Sequence, residues 1–280
     1  MAYRTIAVIV TDAATDRAAL AAAAAIALRD GAHLDVHCIG VDPARYDAMP
    51  AGTAAIVLES GAAEARAQAD DLVVWAERAL PSELVRVAVQ SLVVPQLGLD
   101  SIVARLSRYS DLIVAPKPYG AGRDALNVSV VESALFGTGA PVMIVPDGVA
   151  DLSRPWKRIV VAWNESDESL SAIRKALPFL CAATHVDLVM VDPPSHSPER
   201  SDPGGAITLM LARHGIKAEV SILARTLPKV SEVIARFARE HGADAVVMGA
   251  YGHSRFREAI LGGATRDLLE SAPLPLVMAH

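Results

Sequence analysis

The chain repeats itself, and the repeat limits what it can fold into. ESALFGTGAPVMIVP (132–146) lies over RDLLESAPLPLVMAH (266–280) at a constant offset of 134, without a gap. Upstream, RTIAVIVTD from Arg4 and KRIVVAWNESD from Lys157 are β-branched runs suited to buried strands. Helical patterns follow over Arg17 to Arg29 and Glu168 to Leu180. Second strands are predicted over 33–42 and 185–194, and third strands over 84–91 and 217–225. Helices follow near 96–109 and 230–241. Val230, Val233, Ile234, Phe237 and Ala238 share one face of the latter, and Gly242 is placed to end it. SDLIVAP (110–116) and ADAVVMGA (243–250) read as the fourth strands.

Strands alternating with helices predict an α/β fold: two tandem Rossmann-like domains, each a five-stranded parallel-type sheet with helices on both faces. The expected domains are 1–147 and 156–280, joined by a Pro/Gly/Asp-rich linker over 148–155. In such sheets ligands bind beyond the carboxyl ends of the strands, where the strand order reverses.

Composition narrows the function classes. Aromatic residues make up 4% of the 280 residues, so the cores must be built from Ala, Val, Leu and Ile. No uncharged apolar run reaches the roughly 18 residues of a membrane-spanning helix. A net charge of −6 argues against nucleic acid or an anionic membrane as partner. The charge is uneven: residues 1–147 carry 11 basic against 17 acidic side chains, and the remainder 15 against 15, which favours the second half for an anionic ligand. Cys38 and Cys181 lie in apolar runs and read as buried small hydrophobes in a reducing, cytoplasmic compartment.

The second half carries one unusual loop. Its fourth strand runs into MGAYGHSRFREAILGGATRDLL, far longer than the usual strand-to-helix connection of about 2 to 6 residues. Gly249, Gly252, Gly262 and Gly263 can form a nest of backbone donors at a helix N-terminus, with the Thr265 hydroxyl beside it. They can equally be tight-turn residues, with Arg255, Arg257 and Arg266 on a solvated face. His253 reads either as a phosphate contact or as an exposed loop residue.

On these residues the chain resembles a tandem universal stress protein over nearly its whole length. Many members of that family bind ATP through G-x2-G-x9-G-(S/T). Gly249-x2-Gly252-x9-Gly262 matches, but Gly263 stands where the pattern has Ser or Thr, so one phosphate contact is missing. The resemblance implies ATP, with Mg²⁺, in the second domain only. It places the phosphates against Gly249, Gly252, His253, Gly262, Gly263, Ala264 and Thr265. The adenosine would lie against Ala162, Trp163 and Asn164 after the first strand of that half, and Met190 and Val191 after its second. Asn164 stands where nucleotide binders of the family usually carry Asp; it can pair with a ribose hydroxyl or simply form a turn. Trp163 can stack on a base or block it. Carried back by 134, the glycine positions become Ala115, Pro118, Val128 and Ser129, so the first domain reads as a degenerate copy. The resemblance also implies pairing through the last strands, giving a pseudo-dimer within one chain, and two chains can then associate into a homodimer.

No G-x-x-x-x-G-K-[ST], H-E-x-x-H or G-x-S-x-G occurs. No catalytic residue or metal site is therefore predicted, and activity is expected to be at most a slow ATP hydrolysis. Asp42 and Asp192 follow the second strands of both halves, which favours a turn or cap role for each. Two classes remain open: a stress-response protein binding an adenine nucleotide, and a nucleotide-free interaction module whose glycines only shape a loop.

Overall fold

The computed structural model describes residues 2–42, 54–148, 152–193, 201–250 and 263–280, with the backbone alone over 54–60. It divides into two compact units, Tyr3–Ala140 and one containing Pro141–His280. The first holds β1 (Thr5–Val10), α1 (Arg17–Asp30), β2 (His33–Asp42), α2 (Ala54–Ala79), β3 (Val87–Pro95), α3 (Leu99–Ser107), β4 (Leu112–Pro116) and α4 (Ala125–Gly137). Its strands run in the order β3-β2-β1-β4, all parallel. Parallel strands need crossovers, and the helices supply them. α2 lies so close on β2 that a Cβ at Gly40 would sit 1.7 Å from the Ala65 carbonyl oxygen. β3 runs further than the sequence suggests because its pairing with the ten-residue β2 continues to Asp42 opposite Pro95.

The second unit holds β5 (Val142–Val145), β6 (Arg158–Ala162), α5 (Asp167–Lys175), α6 (Leu177–Ala182), β7 (His185–Val191), α7 (Gly205–Arg213), β8 (Ala218–Leu223), α8 (Val230–Glu240), β9 (Ala245–Gly249), α9 (Ala264–Ser271) and β10 (Leu276–Ala279). Its order is β5-β10-β9-β6-β7-β8. β5 pairs antiparallel with β10, Met143 opposite Val277, so the two matched C-terminal strands of the repeat lie side by side. The other pairings are parallel. The single helix expected over 168–180 is two, because Pro178 has no N–H to continue the ladder across Ala176.

One carboxylate in each unit fixes the entry of a matched strand, β1 in the first and β6 in the second. Asp111 Oδ2 accepts the backbone N–H groups of Arg4 at 2.7 Å and Thr5 at 3.0 Å. Asp244 Oδ2 accepts those of Lys157 at 2.7 Å and Arg158 at 2.9 Å. These matched contacts align the fourth strands one residue off the offset read from the C-terminal segments. Gly249 therefore corresponds to Pro116, not to Ala115.

Cys38 is buried, and burial pushes its thiol up to about 12. Cys181 departs from expectation: it is exposed at the end of α6, where its thiol donates to the His214 carbonyl at 3.8 Å. Asp192 has φ 44° and accepts the Arg225 N–H at 3.2 Å, a turn role.

His37 on β2 is 6% exposed, and neither ring nitrogen has a hydrogen-bond partner within the described residues. Burial lowers its pKa from the usual histidine value, with Asp35 opposing. Above about pH 6.5 the ring is neutral in both the folded and unfolded chain. Below it the unfolded chain takes up a proton that the folded one resists, so stability falls. Urea denaturation should show stability declining below about pH 6.5, and His37→Leu should flatten that decline.

Candidate functional site

Three strands of the second unit end around one cavity. β6 and the residues after it supply Ala162, Trp163 and Asn164; β7 supplies Val189 and Val191; β9 supplies Met248 and Gly249. Val230 and Ile234 of α8 and Ala264 of α9 close the sides, leaving a cavity of about 100 Å³. Most of the lining is apolar, as expected where strand ends meet a helix face. β6 lies between β9 and β7, so the cavity sits where the strand order reverses.

The matching positions of the first unit can be identified from hydrogen bonds that recur. The His33 N–H donates to the Arg4 carbonyl as that of His185 does to Lys157. Asp100 accepts Ser133 Oγ at 2.9 Å, and Asp267 accepts Ser231 Oγ at 3.2 Å, the same α-to-α contact with its two members exchanged. Ala162 then corresponds to Ile9, Val191 to Ile39, Val230 to Leu99, Ile234 to Val103 and Ala264 to Val130. All five first-unit residues belong to one buried cluster with Val94. Four of the five are larger than their counterparts. The place that is a cavity in the second unit is packed with side chains in the first. The loop after β1 is turned inward as well. The Asp16 carboxylate, 2% exposed, accepts the N–H groups of Thr11 at 2.7 Å and Asp12 at 3.0 Å, and burial raises its pKa.

The helices that follow the fourth strands differ in the same sense. α4 begins more than a turn before Val130, and its N-terminus is closed by a capping box of Asp124 and Asn127, with Asp124 accepting the Leu126 N–H at 2.8 Å. α9 begins at Ala264 after Gly263, with no side-chain cap. Its first N–H groups, which have no partners inside the helix, therefore adjoin the cavity through Ala264. A helix N-terminus in this state favours an anion.

Of the residues singled out from sequence, Ala162, Trp163, Asn164, Val191, Gly249 and Ala264 come together around the cavity. Met190 does not line it. Side chains alternate along β7, so Val189 and Val191 face the cavity while Met190 is 1% exposed within the sheet's other layer. Thr265 is 4% exposed and is not a lining residue. Gly252, His253 and Gly262 lie outside the described residues, as do Arg255 and Arg257. Gly249 has a packing reason to be glycine: its Cβ would lie 2.6 Å from the Ser169 nitrogen, where α5 crosses. Gly263 has φ −73°, ψ 164°, which any residue adopts.

Asn164 Oδ1 accepts the Ser166 N–H at 3.3 Å, an Asx turn that leads into α5. Glu165 beside it has φ 63°, a left-handed conformation that costs a non-glycine residue on the order of 1 kcal/mol or more. Trp163 is 8% exposed, and its indole Nε1 is buried with no hydrogen-bond partner among the described residues. Sequence reasoning missed Val189, Met248, Val230 and Ile234. The two α8 residues stood on the apolar face read as core, and nothing in that periodicity separates a cavity wall from a packed one. Among the described residues no group of His, Cys, Asp or Glu is placed to hold a metal ion.

Residues 155–280 match the family model of the universal stress protein family. The chain is similar to a universal stress protein of Synechocystis sp., 27% identical over 112 residues, which is 38% of this chain and 38% of that protein. The match thus spans well under half of the curated relative. Among solved structures the chain resembles a universal stress protein from Archaeoglobus fulgidus, with a TM-score of 0.69, 15% identity and coverage of 98% of this chain and 95% of the other. It also resembles a functionally unknown protein from Pseudomonas aeruginosa, with a TM-score of 0.58, 16% identity and coverage of 99% and 92%. Both likenesses concern the fold.

The contrast between packed and open positions can be measured. Val103→Ala, at 0% exposure in the first unit, should cost about 2 kcal/mol in urea denaturation. Val230→Ala, on the cavity wall, should cost less than about half of that, because few packing contacts are lost there.

Proposed function

We propose that this chain, whose residues 155–280 match the family model of the universal stress protein family, is a stress-response protein whose second domain binds an adenine nucleotide. The observation that carries this reading is the open cavity at positions that the first unit fills with Ile9, Ile39, Leu99 and Val130. A flat base fits between the valines and Trp163, whose unpartnered Nε1 offers a donor to a ligand acceptor. The Asn164 amide, with Oδ1 engaged by Ser166, has its NH₂ to offer a ribose hydroxyl. The uncapped start of α9 supplies backbone donors for phosphate. Gly263 contributes no hydroxyl there. Mg²⁺ would arrive with ATP, since no acidic cluster among the described residues holds a metal. The first domain is the structural copy, and an intramolecular pseudo-dimer of the two domains is part of this reading. Two chains can further form a homodimer.

A second reading is favoured by Gly249, which close packing against α5 already explains. In it the protein is a nucleotide-free interaction module. Calorimetric titration separates the two. MgATP added to tens of micromolar protein should release or take up heat with one site per chain. Ala264→Val together with Ala162→Ile, which install the first-unit residues, should abolish it without loss of thermal stability. No heat with the unmodified protein contradicts nucleotide binding and leaves the interaction module.

A further inference from the structure

Next to a cavity-lining residue stands a cation whose matching position in the first unit is a glycine. Lys229 is the N-cap residue of α8 and directly precedes Val230, a cavity-lining residue. Its ammonium donates to Asp267 Oδ1 at 2.6 Å. Asp267 lies in the first turn of α9, three residues after the cavity-lining Ala264. The ion pair therefore bridges the two helices whose starts border the cavity. The Lys229 side chain is 55% exposed and that of Asp267 12%. One of the three ammonium protons is committed to Asp267, and the head group faces water.

An acidic side chain in a first turn suits the helix dipole, but it repels an incoming phosphate at the same place. Lys229 cancels that charge. The comparison between units shows that the contact between the helices does not itself need a cation. In the first unit Gly98 stands at the Lys229 position, and Asp100 is satisfied by the hydroxyls of Ser129 at 2.5 Å and Ser133 at 2.9 Å. Hydroxyls satisfy the aspartate there, beside the apolar contact of Leu99 and Val103 with Val130. The lysine is present only in the unit with the open cavity.

We propose that Lys229 is a specificity-determining residue of the second-domain site: held by Asp267 at the start of α9, its ammonium selects phosphorylated nucleosides over nucleosides. This rests on the nucleotide reading above. Lys229 takes the role that the missing hydroxyl at Gly263 leaves open, as a point charge rather than as a hydrogen-bonding side chain on the loop. Asp267 keeps the ammonium near the helix start and weakens its hold on the ligand, so removing the carboxylate has the opposite effect to removing the lysine.

The test is calorimetric titration of the full chain with ATP and with adenosine, at two salt concentrations. Lys229→Met should weaken ATP roughly fivefold, the scale of one exposed charge contact, and leave adenosine unchanged. Lys229→Arg should retain most of the ATP affinity, and Asp267→Asn should raise it. The salt dependence of ATP binding should be shallower in Lys229→Met than in the unmodified chain. A purely structural ion pair predicts otherwise: Lys229→Met and Asp267→Asn would lower thermal stability alike, with the ATP-to-adenosine ratio unmoved, and that result overturns the inference alone. Absence of binding by both ATP and adenosine to the unmodified chain overturns the nucleotide reading and this inference with it.

Discussion

Side-chain volume at the carboxyl ends of the central strands decides what each half of this chain can do. The backbone arrangement is repeated, down to a carboxylate that gathers two N–H groups at the start of a matched strand. On that common frame, Ala, Val, Val and Ala at four positions of the second unit leave a cavity, where Ile, Ile, Leu and Val in the first make a buried cluster. Protein interiors are close-packed, so a space lined by valines and alanines persists only where no neighbour is large enough to fill it. The difference amounts to one, two or three carbon atoms at each position.

The helix that follows the fourth strand repeats the same choice in polar terms. α4 starts early and uses Asp124 and Asn127 to satisfy its own N-terminus. α9 starts late, after Gly263, which gives it no side-chain cap. The partly buried contact of this helix with the one before it, α3 with α4 and α8 with α9, survives with its partners exchanged, Asp100 with Ser133 in one unit and Ser231 with Asp267 in the other. A hydrogen-bonded serine–aspartate pair is indifferent to which helix supplies which member. The electrostatic surroundings are not, because the aspartate of the second unit sits on the helix whose first residue lines the cavity.

Most of the architecture was legible in the sequence, for physical reasons. Apolar β-branched runs and helical periodicity placed β1, β2, β7, α1 and α8 within a few residues. The break at Ala176 was signalled by Pro178 and passed over, because the apolar pattern continues across it. The one-residue slip at the fourth strand was visible in SDLIVAP against ADAVVMGA, where Asp111 aligns with Asp244, but the offset of the C-terminal segments was carried across it. The site was half visible. Residues next to strand ends, Trp163 and Asn164, could be named from position alone. The helix residues Val230 and Ile234 could not, because an apolar residue facing a cavity and one facing a core share the same pattern. The family resemblance implied Met190 as a lining residue, but strand alternation turns it to the opposite face.

The chain thus carries one α/β fold twice, with one copy packed shut and the other open at the reversal of strand order. The most direct test of that asymmetry is a methyl NMR titration of the full chain with MgATP, with Ile, Leu and Val methyl groups labelled. The account predicts shifts at Val189, Val191, Val230 and Ile234, with Ile9, Ile39, Leu99 and Val103 unmoved. Shifts confined to the first-unit set, or equal in the two sets, would contradict it.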